Sequence, residues 1–468
     1  MISRAVSING ENMDETIAAV ATAYGEGGIG IIRISGENAE KLLSDIFVPC
    51  SGKPIKNRMM TYGHIVDPEK GEVLDEVLAV LMKAPHTYTR EDVAEINCHG
   101  SVIALKNVLA LCLRRGARMA EPGEFTKRAF LNGRLDLSEA EAVIDLIRAK
   151  TDKSFDVSMK QLEGALSGEI RAIRKDMLDL LVEVTVNIDY PDEDIEELTY
   201  KKLIESIENI REKIEQLLSS ADSGRILREG LNAAIVGKPN VGKSSLMNAL
   251  LKESRAIVTE IPGTTRDTIE EMISIRGIPV RLTDTAGIRK TQDVIEKIGI
   301  EKSKEAFNEA DLVIFILDGS REPDEEDFEI IDVIGERKAI VLINKSDLGR
   351  KVSIEEIEKK LPGCEVIETS IISGKGLEDV ENTIESMVYS GDVVQKNSCM
   401  VTNVRHIELL NQAGDSMGDA HKMAVSGEAL DFIEVDINAA YQSLGEIIGE
   451  TVADDIINEV FARFCLGK

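Results

Sequence analysis

The chain has 468 residues, 43% of them hydrophobic and 30% charged, which is the composition of a folded protein and more chain than one ordinary domain of roughly 100–200 residues holds. A formal net charge of -29 excludes a generic nucleic-acid coat, because non-specific affinity for RNA or DNA comes from Lys and Arg neutralising phosphates, so any RNA contact has to be local. No apolar run reaches the roughly 18 residues of a bilayer span and the N-terminal stretch lacks the apolar core of a secretory signal, so a soluble, cytoplasmic protein is expected.

To about Asn132, short β-like runs such as Gly30 to Ile34 and Val77 to Leu81 mix with a helical pattern over Val102 to Leu113, which predicts an α+β domain over residues 1–132. From 133 to 229, apolar residues recur at three and four spacing, as in Ala140, Val143, Ile144 and Ile147 and again in Met177, Leu180, Leu181 and Val184. That spacing predicts helices, with a break at Tyr190-Pro191. From 230 to 391, apolar strands alternate with helical stretches: Leu231 to Val236, Val280 to Leu282, Leu312 to Leu317 and Ala339 to Ile343. This is the pattern of a parallel sheet covered by helices. Residues 392–468 turn helical again, with Ile433, Ile437, Ala440, Tyr441, Leu444, Ile447 and Ile448 on one face. The economical arrangement is an α/β domain inserted into a helical domain; two separate helical flanks are the alternative.

Gly237-Lys238-Pro239-Asn240-Val241-Gly242-Lys243-Ser244 fits GxxxxGK[ST], directly after an expected strand and before a helical run from Ser245. Small residues there let backbone N–H groups wrap phosphates, Lys243 reaches the outer phosphates, and Ser244 offers its hydroxyl to magnesium. Asp284-Thr285-Ala286-Gly287 ends a strand, where the carboxylate can hold magnesium through water and the glycine amide can meet the terminal phosphate. Asn344-Lys345-Ser346-Asp347 ends another. There the carboxylate of Asp347 can accept from both N–H donors on one edge of guanine, whereas adenine presents an acceptor and would leave charge unpaired. Ser370-Ile371 lies where a backbone amide would contact the guanine oxygen. Four elements in this order predict GTP binding in preference to ATP.

Between the first two lies Thr259-Glu260-Ile261-Pro262-Gly263-Thr264-Thr265-Arg266-Asp267, whose paired threonines can supply a second magnesium ligand, Thr265, once the terminal phosphate is bound; the alternative is a plain surface turn. The glutamine that orients the attacking water in regulatory GTPases is replaced by Ile288, so the water has to be held otherwise. Glu296 can do this, or be a solvated acid. Arg266 can stabilise developing charge, or be an exposed loop arginine.

Outside these motifs, four runs are distinctive: Gly27-Gly28-Ile29-Gly30-Ile31-Ile32-Arg33-Ile34-Ser35-Gly36, Glu91-Asp92-Val93-Ala94-Glu95-Ile96-Asn97-Cys98-His99-Gly100, the segment from Pro122-Gly123-Glu124-Phe125-Thr126-Lys127-Arg128 to Leu137, and the terminal Cys465-Leu466-Gly467-Lys468. With them the chain closely resembles, over nearly its whole length, the MnmE (TrmE) family of tRNA modification GTPases. The resemblance implies a multidomain protein: an α+β N-terminal folate-binding and dimer-forming domain (1–132), a discontinuous α-helical domain (133–229 and 392–468) and an inserted α/β P-loop GTPase domain of Ras-like fold (230–391). It further implies a homodimer that works with the flavoprotein MnmG to place an aminomethyl or carboxymethylaminomethyl group on the wobble uridine of certain tRNAs. A tetrahydrofolate derivative, in formyl or methylene form, would be the one-carbon source. A potassium ion would replace an arginine finger, held by Asn240, Thr259, Ile261 and Thr264, with magnesium on Ser244 and Thr265 and with Glu296 as the water-orienting glutamate.

For the folate, the family pattern points to Arg33, Glu95, Lys468 and Arg134, the last at a position where relatives carry Lys. Arg33 and Lys468 suit a glutamyl carboxylate or pterin acceptors, and Glu95 suits pterin amine donors. Without the resemblance, Arg33 reads as an edge-strand residue, Glu95 as a solvated carboxylate and Lys468 as a frayed terminus. The six cysteines show no CxxC or zinc spacing and read as reduced thiols. Among them Cys465 is either a catalytic thiol beside the folate or an inert buried one. The basic cluster Arg114, Arg115, Arg118, Lys127, Arg128 and Arg134 either contacts tRNA phosphates or pairs with nearby acids. Two other functions fit the motifs: a ribosome- or RNA-associated GTPase switch without group transfer, and a stand-alone folate aminomethyltransferase with a regulatory G domain.

Overall fold

The computed structural model describes residues 15–189, 200–253, 270–284, 307–389 and 399–468. The chain divides into two compact units, one of Met1–Ile144, Leu162–Ile170 and Leu444–Lys468, the other of Asp145–Gln161 and Arg171–Ser443.

The first unit is built on a seven-stranded sheet from β1 (Ile17–Val20), β2 (Gly27–Ser35), β3 (Phe47–Pro49), β4 (Thr61–Asp67), β5 (Glu72–Met82), β6 (Val93–Gly100) and β7 (Arg118–Met119), in the order β3-β4-β5-β6-β2-β1-β7. Period-two alternation sends Ile32, Ile34, Val77, Ala79, Leu81, Ala94, Ile96 and Cys98 to one face, where they form a buried core with Leu42, Leu43, Leu105 and Val108 of helices Ala39–Ile46 and Val102–Arg114. Gly30 is needed for this packing, since a Cβ there would stand 2.6 Å from Leu105 Cδ1. On the opposite face, Ile17 and Ala19 of β1 pack with Phe125 of helix Glu124–Leu131 and with Tyr88. Helix Asp454–Ala462 adds Ile457 and Phe461 to a separate core with Leu137, Ala140, Val143 and Ile144.

In the second unit, Tyr200–Ser219 and Val404–Ser426 are helices that pack on each other. Leu203, Ile207, Ile210, Ile214 and Leu217 make the buried stripe of the first. Met177, Leu180, Leu181, Val184, Ile433, Ile437 and Ala440 are likewise buried, as their spacing predicts. Ile147 is not: it is 47% exposed, although a 3.6-residue period places it with Ile144. The expected break at Tyr190-Pro191 lies outside the described residues. No helix among the described residues is long and apolar enough to cross a membrane.

This unit also holds a six-stranded sheet of β8 (Leu231–Val236), β9 (Glu270–Ile275), β10 (Ile278–Asp284), β11 (Leu312–Asp318), β12 (Ala339–Asn344) and β13 (Glu365–Glu368), ordered β13-β12-β11-β8-β10-β9. All its pairings are parallel except β9 with β10. Leu312 to Leu317 and Ala339 to Ile343 are buried along their whole length, which a strand requires when helices cover both faces of its sheet. Strand order runs outward from β8 in both directions, and in such sheets ligands bind beyond the carboxyl ends of the strands at that reversal.

Candidate functional site

At the carboxyl end of β8 the chain turns through Gly237 (φ 148°) and Gly242 (φ 117°) into helix Lys243–Glu253. Both positions exclude a side chain: a Cβ on Gly237 would stand 2.5 Å from Ile316 O, and one on Gly242 2.4 Å from Asn344 Nδ2. The loop therefore lies flat against the ends of β11 and β12 and brings Lys243, Ser244 and Ser245 in as the first turn of the helix, the end at which anions bind. The Lys243 ammonium donates to the carbonyls of Gly237 (2.7 Å) and Lys238 (2.9 Å), so its cation is held over the loop.

Asn344, 4% exposed at the end of β12, fastens two loops at once. Its Nδ2 donates to Val241 O (2.7 Å) and its Oδ1 accepts from Ile371 N (3.1 Å). Lys345 adopts the left-handed region (φ 64°) and its ammonium lies 2.7 Å from Asp318 Oδ2 at the end of β11. Burial would raise the pKa of Asp318, but hydrogen bonds from Lys345 and Ser320 outweigh it and hold the carboxyl below its ordinary range. Asp347 sits exposed in the 3-10 turn Ser346–Leu348, where the Ser370 hydroxyl donates to its Oδ1 (2.7 Å) and so aims the carboxylate.

The structure thus brings Asn240, Val241, Gly242, Lys243, Ser244, Ser245, Asn344, Lys345, Asp347, Ser370 and Ile371 to the carboxyl edge of one sheet. Asp284 ends β10, its backbone paired with Ile235 of β8. Thr259, Glu260, Ile261, Pro262, Gly263, Thr264, Thr265, Arg266, Thr285, Ala286, Gly287, Ile288 and Glu296 lie outside the described residues.

A second cluster of charged side chains lies in the first unit. Arg33 of β2 and Glu95 of β6 are direct register partners, and Arg33 Nε donates to Glu95 Oε1 at 2.9 Å, with 17% and 22% of the side chains exposed. β2 is flanked by β6 and β1, so Arg33 is not on an edge, and Glu95 is not merely solvated. The Arg33 guanidinium is 5.5 Å from the Tyr88 ring centroid and 5.7 Å from that of Phe125, while Arg134 stands 4.6 Å over Tyr88 and donates to its carbonyl (3.0 Å). Nothing local in the sequence marks Tyr88 for this place.

The C-terminal residues are packed rather than frayed. Gly467 (φ 85°) approaches β1 so closely that a Cβ would meet Val20 O at 2.2 Å, and Gly123 N donates to Cys465 O (3.4 Å). The Lys468 ammonium is pushed to a lower pKa by burial and then by the Arg33 cation, with Glu95 and Cys465 opposing, which sets all four groups in one neighbourhood. Cys465 is exposed, so core packing does not explain its thiol.

Four members of the basic cluster pair with acids. Arg114 pairs with Asp67 (2.9 Å), Arg115 with Glu69 (3.2 Å), and Arg118 with Glu15 (2.9 Å) and Glu124 (2.5 Å). Arg128, fully buried, reaches Glu91 (3.1 Å) and Glu124 (2.9 Å). Segment Pro122 to Arg128 therefore carries a buried ionic network, the second of the two uses that its charge allowed.

A family model described as the MnmE helical domain matches residues 137–465, and one described as the GTP-binding protein TrmE N-terminus matches residues 16–134. The tRNA modification GTPase MnmE of Alkaliphilus metalliredigens (strain QYMF) is 53% identical over 459 residues, covering 97% of this chain and 100% of that protein. Its counterpart in Alkaliphilus oremlandii (strain OhILAs) is 54% identical with the same coverage, and that of Clostridioides difficile (strain 630) is 51% identical over 459 residues, again 97% of this chain and 100% of the relative. Taken with a guanine-nucleotide site at the end of β8 and an N-terminal sheet that gathers Arg33, Glu95 and the chain's last residues, these matches place the chain in the MnmE family of tRNA modification GTPases.

Proposed function

We propose that this chain is the GTP-hydrolysing subunit of a cytoplasmic complex that, with the flavoprotein MnmG, adds an aminomethyl or carboxymethylaminomethyl group to the wobble uridine of certain tRNAs. The observation that carries the reading is the meeting of Arg33, Glu95, Lys468 and Cys465 in a chain whose other unit is a guanine-nucleotide site. In this reading residues 1–132 are the folate-binding and dimerisation domain, 133–229 and 392–468 the helical domain, and 230–391 the GTPase domain. A GTPase switch without group transfer accounts for the nucleotide site but leaves this cluster without a use.

Arg33 and Lys468 stand there beside Glu95, so the cluster presents both cationic donors and a carboxylate acceptor to a ligand that carries the complementary groups. Arg33 and Lys468 would hold that carboxylate or the pterin acceptors, Glu95 the pterin amines, and Tyr88 and Phe125 offer ring faces; Arg134 lines the same side. A reduced folate would supply the one-carbon unit, and the exposed Cys465 thiol beside Lys468 would be the nucleophile.

At the nucleotide, backbone amides from Asn240 to Ser245 and the Lys243 ammonium bind the phosphates. Ser244, with Thr265 and water-bridged Asp284, would hold magnesium. Asn240, Thr259, Ile261 and Thr264 would hold potassium, supplying the positive charge that an arginine finger supplies elsewhere, and Glu296 would orient the attacking water in place of the glutamine that Ile288 replaces. GTP turnover is then expected to be at least about tenfold faster in potassium than in sodium, as one transition-state cation is worth more than that, and Asn240→Ala should abolish the difference. Equal rates in both salts for the parent protein would overturn the potassium assignment. For the modification role, tRNA from cells lacking this protein should lose the wobble-uridine side chain by nucleoside mass spectrometry, with restoration by the parent gene and not by Cys465→Ser. Unchanged nucleosides in the deletion strain would refute the role; restoration by Cys465→Ser would refute the thiol's part in it.

A further inference from the structure

The second residue of the phosphate loop is buried, which is unexpected for a lysine. Lys238 is 6% exposed, while its neighbours Pro239 and Asn240 are exposed and Val241 is again buried at 1%. Lysine side chains almost never bury fully unless paired, and this one is paired twice. Its ammonium contacts Asp324 and lies 2.9 Å from Asp327 Oδ2. Asp324 is the N-cap of helix Glu325–Ile334, accepting from the amides of Glu326 and Asp327, and Asp327 Oδ2 in turn accepts from the Asp324 amide (3.1 Å), so a capping box fixes both carboxylates independently of the lysine. Asp327 is 1% exposed, and its other oxygen, Oδ1, has no hydrogen-bond partner. Burial alone would lower the pKa of Lys238, but the two carboxylates raise it, and the cation is kept.

The arch Pro239-Asn240 consequently stands on two anchored posts. One is the Lys238 ammonium in the acidic socket of helix Glu325–Ile334; the other is Val241, whose carbonyl receives Asn344 Nδ2 at 2.7 Å. Between them Pro239 fixes its own φ, and Asn240 takes φ 64°, the left-handed conformation that asparagine enters more readily than other side-chain-bearing residues. Lys238 and the half-exposed Asp324 also line an open groove with Pro239, Asn240, Arg321 and Glu325, which places Asn240 beside the ion pair.

We infer that Lys238 is a positioning residue for GTP turnover, which sets the Asn240 side chain by tying the loop to the N-terminus of helix Glu325–Ile334. The inference rests on the reading of this loop as the phosphate loop, with Asn240 acting on the bound nucleotide; it does not depend on which monovalent ion Asn240 holds. A loop left to relax by about an ångström is expected to cost roughly 10- to 100-fold in turnover with little change in ground-state nucleotide affinity, because Asn240 is one contact among many for the bound nucleotide but decides alignment in the reaction.

The test is a double-mutant cycle on the full chain. Single-turnover GTP hydrolysis and binding of a fluorescent GDP analogue are measured for Lys238→Gln, Asn240→Ala and both together. Acting through Asn240, Lys238→Gln lowers turnover at least about tenfold with GDP affinity within roughly threefold, and the double variant is no slower than Asn240→Ala alone. Lys238→Arg, which keeps both ion pairs, restores most of the rate. Because Lys238→Gln leaves Asp327 buried without its counter-charge, the variant Lys238→Gln with Asp327→Asn serves as the stability control; it should bind GDP normally and remain slow. The proposal is overturned if Lys238→Gln turns over within twofold of the parent, if the two losses multiply, or if Asp327→Asn restores the rate. A parent protein with equal rates in potassium and sodium would remove the potassium assignment and leave this outcome untouched.

Discussion

An Asp347→Asn variant is expected to bind GTP about 10³-fold more weakly than the parent and to bind xanthosine triphosphate in its place. In the proposed reading the carboxylate would accept from two guanine N–H groups, each a charge-assisted bond, and an asparagine there would lose one of them and set its own amide N–H against the exocyclic amine. Xanthine carries an oxygen at that position, which the asparagine amide can meet. The Ser370 hydroxyl that aims the Asp347 carboxylate at 2.7 Å can equally donate to an asparagine oxygen, so the loop should keep its shape and the change should fall on base choice. Competition of GTP and xanthosine triphosphate against a fluorescent nucleotide gives the answer directly. A GTP affinity within tenfold of the parent, or no gain for the xanthine nucleotide, would mean that the base is not read by Asp347.

Arg128→Met should destabilise the N-terminal unit by about 3–5 kcal/mol, since removing one member of a buried ionic network leaves the remaining charges uncompensated. Arg128 is fully buried, its Nη2 donating to Glu124 Oε1 (2.9 Å) and to the Glu15 carbonyl (2.9 Å), its Nη1 to Glu91. Arg115→Met is the control: its pair with Glu69 has 24% and 74% of the two side chains exposed, and its loss should cost less than about 1 kcal/mol. Urea unfolding followed by hydrogen exchange at the β2 and β6 amides separates the two, and equal, small losses would show that the network carries no stability. The same network makes the unit acid-sensitive in a definite direction. Burial would raise the pKa of Glu124, but the hydrogen bond from Arg118, the Glu121 amide and Arg128 together hold it below its ordinary value of 4.5. A depressed folded-state pKa contributes stability in full above the unfolded value and loses it as pH falls through the folded one, so the contribution should fade from about pH 4.5 downward and Glu124→Gln should flatten that part of the profile.

Which features could be read in advance follows from the range over which they are encoded. The guanine-nucleotide elements are contiguous motifs at strand ends, and a strand of continuous apolar residues followed by Gly237 or Asn344 announces both the sheet and the edge where ligands gather. The core faces of β2, β5 and β6 are equally local, because period two is a property of each strand alone. Pairing across strands is not. Arg33 meets Glu95 only through the β2–β6 register, Lys468 reaches them only because Gly467 can pass close to Val20, and Lys238 finds Asp324 and Asp327 through the sheet order. For Arg33, Glu95 and Lys468 the family resemblance supplied what spacing did not. Arg128 shows the same range: a basic run reads equally as a tRNA contact or as pairs with nearby acids, and only the fold supplies the partners Glu91 and Glu124 that decide for the second, while Ile147 reads as core until its face is seen to be uncovered.

The double fastening by Asn344 bears on how this protein can be dissected. Because one side chain clasps Val241 O and Ile371 N together, substituting it perturbs two loops in the same stroke, and a variant such as Asn344→Ala would report lost scaffolding whatever nucleotide was offered. Asp347, whose side chain is held by a single serine hydroxyl, is by contrast detachable from the frame. A base-selective variant carried at Asp347 therefore gives an orthogonal handle: a cell could retain its own GTP pool for every other GTPase while this one enzyme is switched on by a nucleotide that it alone accepts.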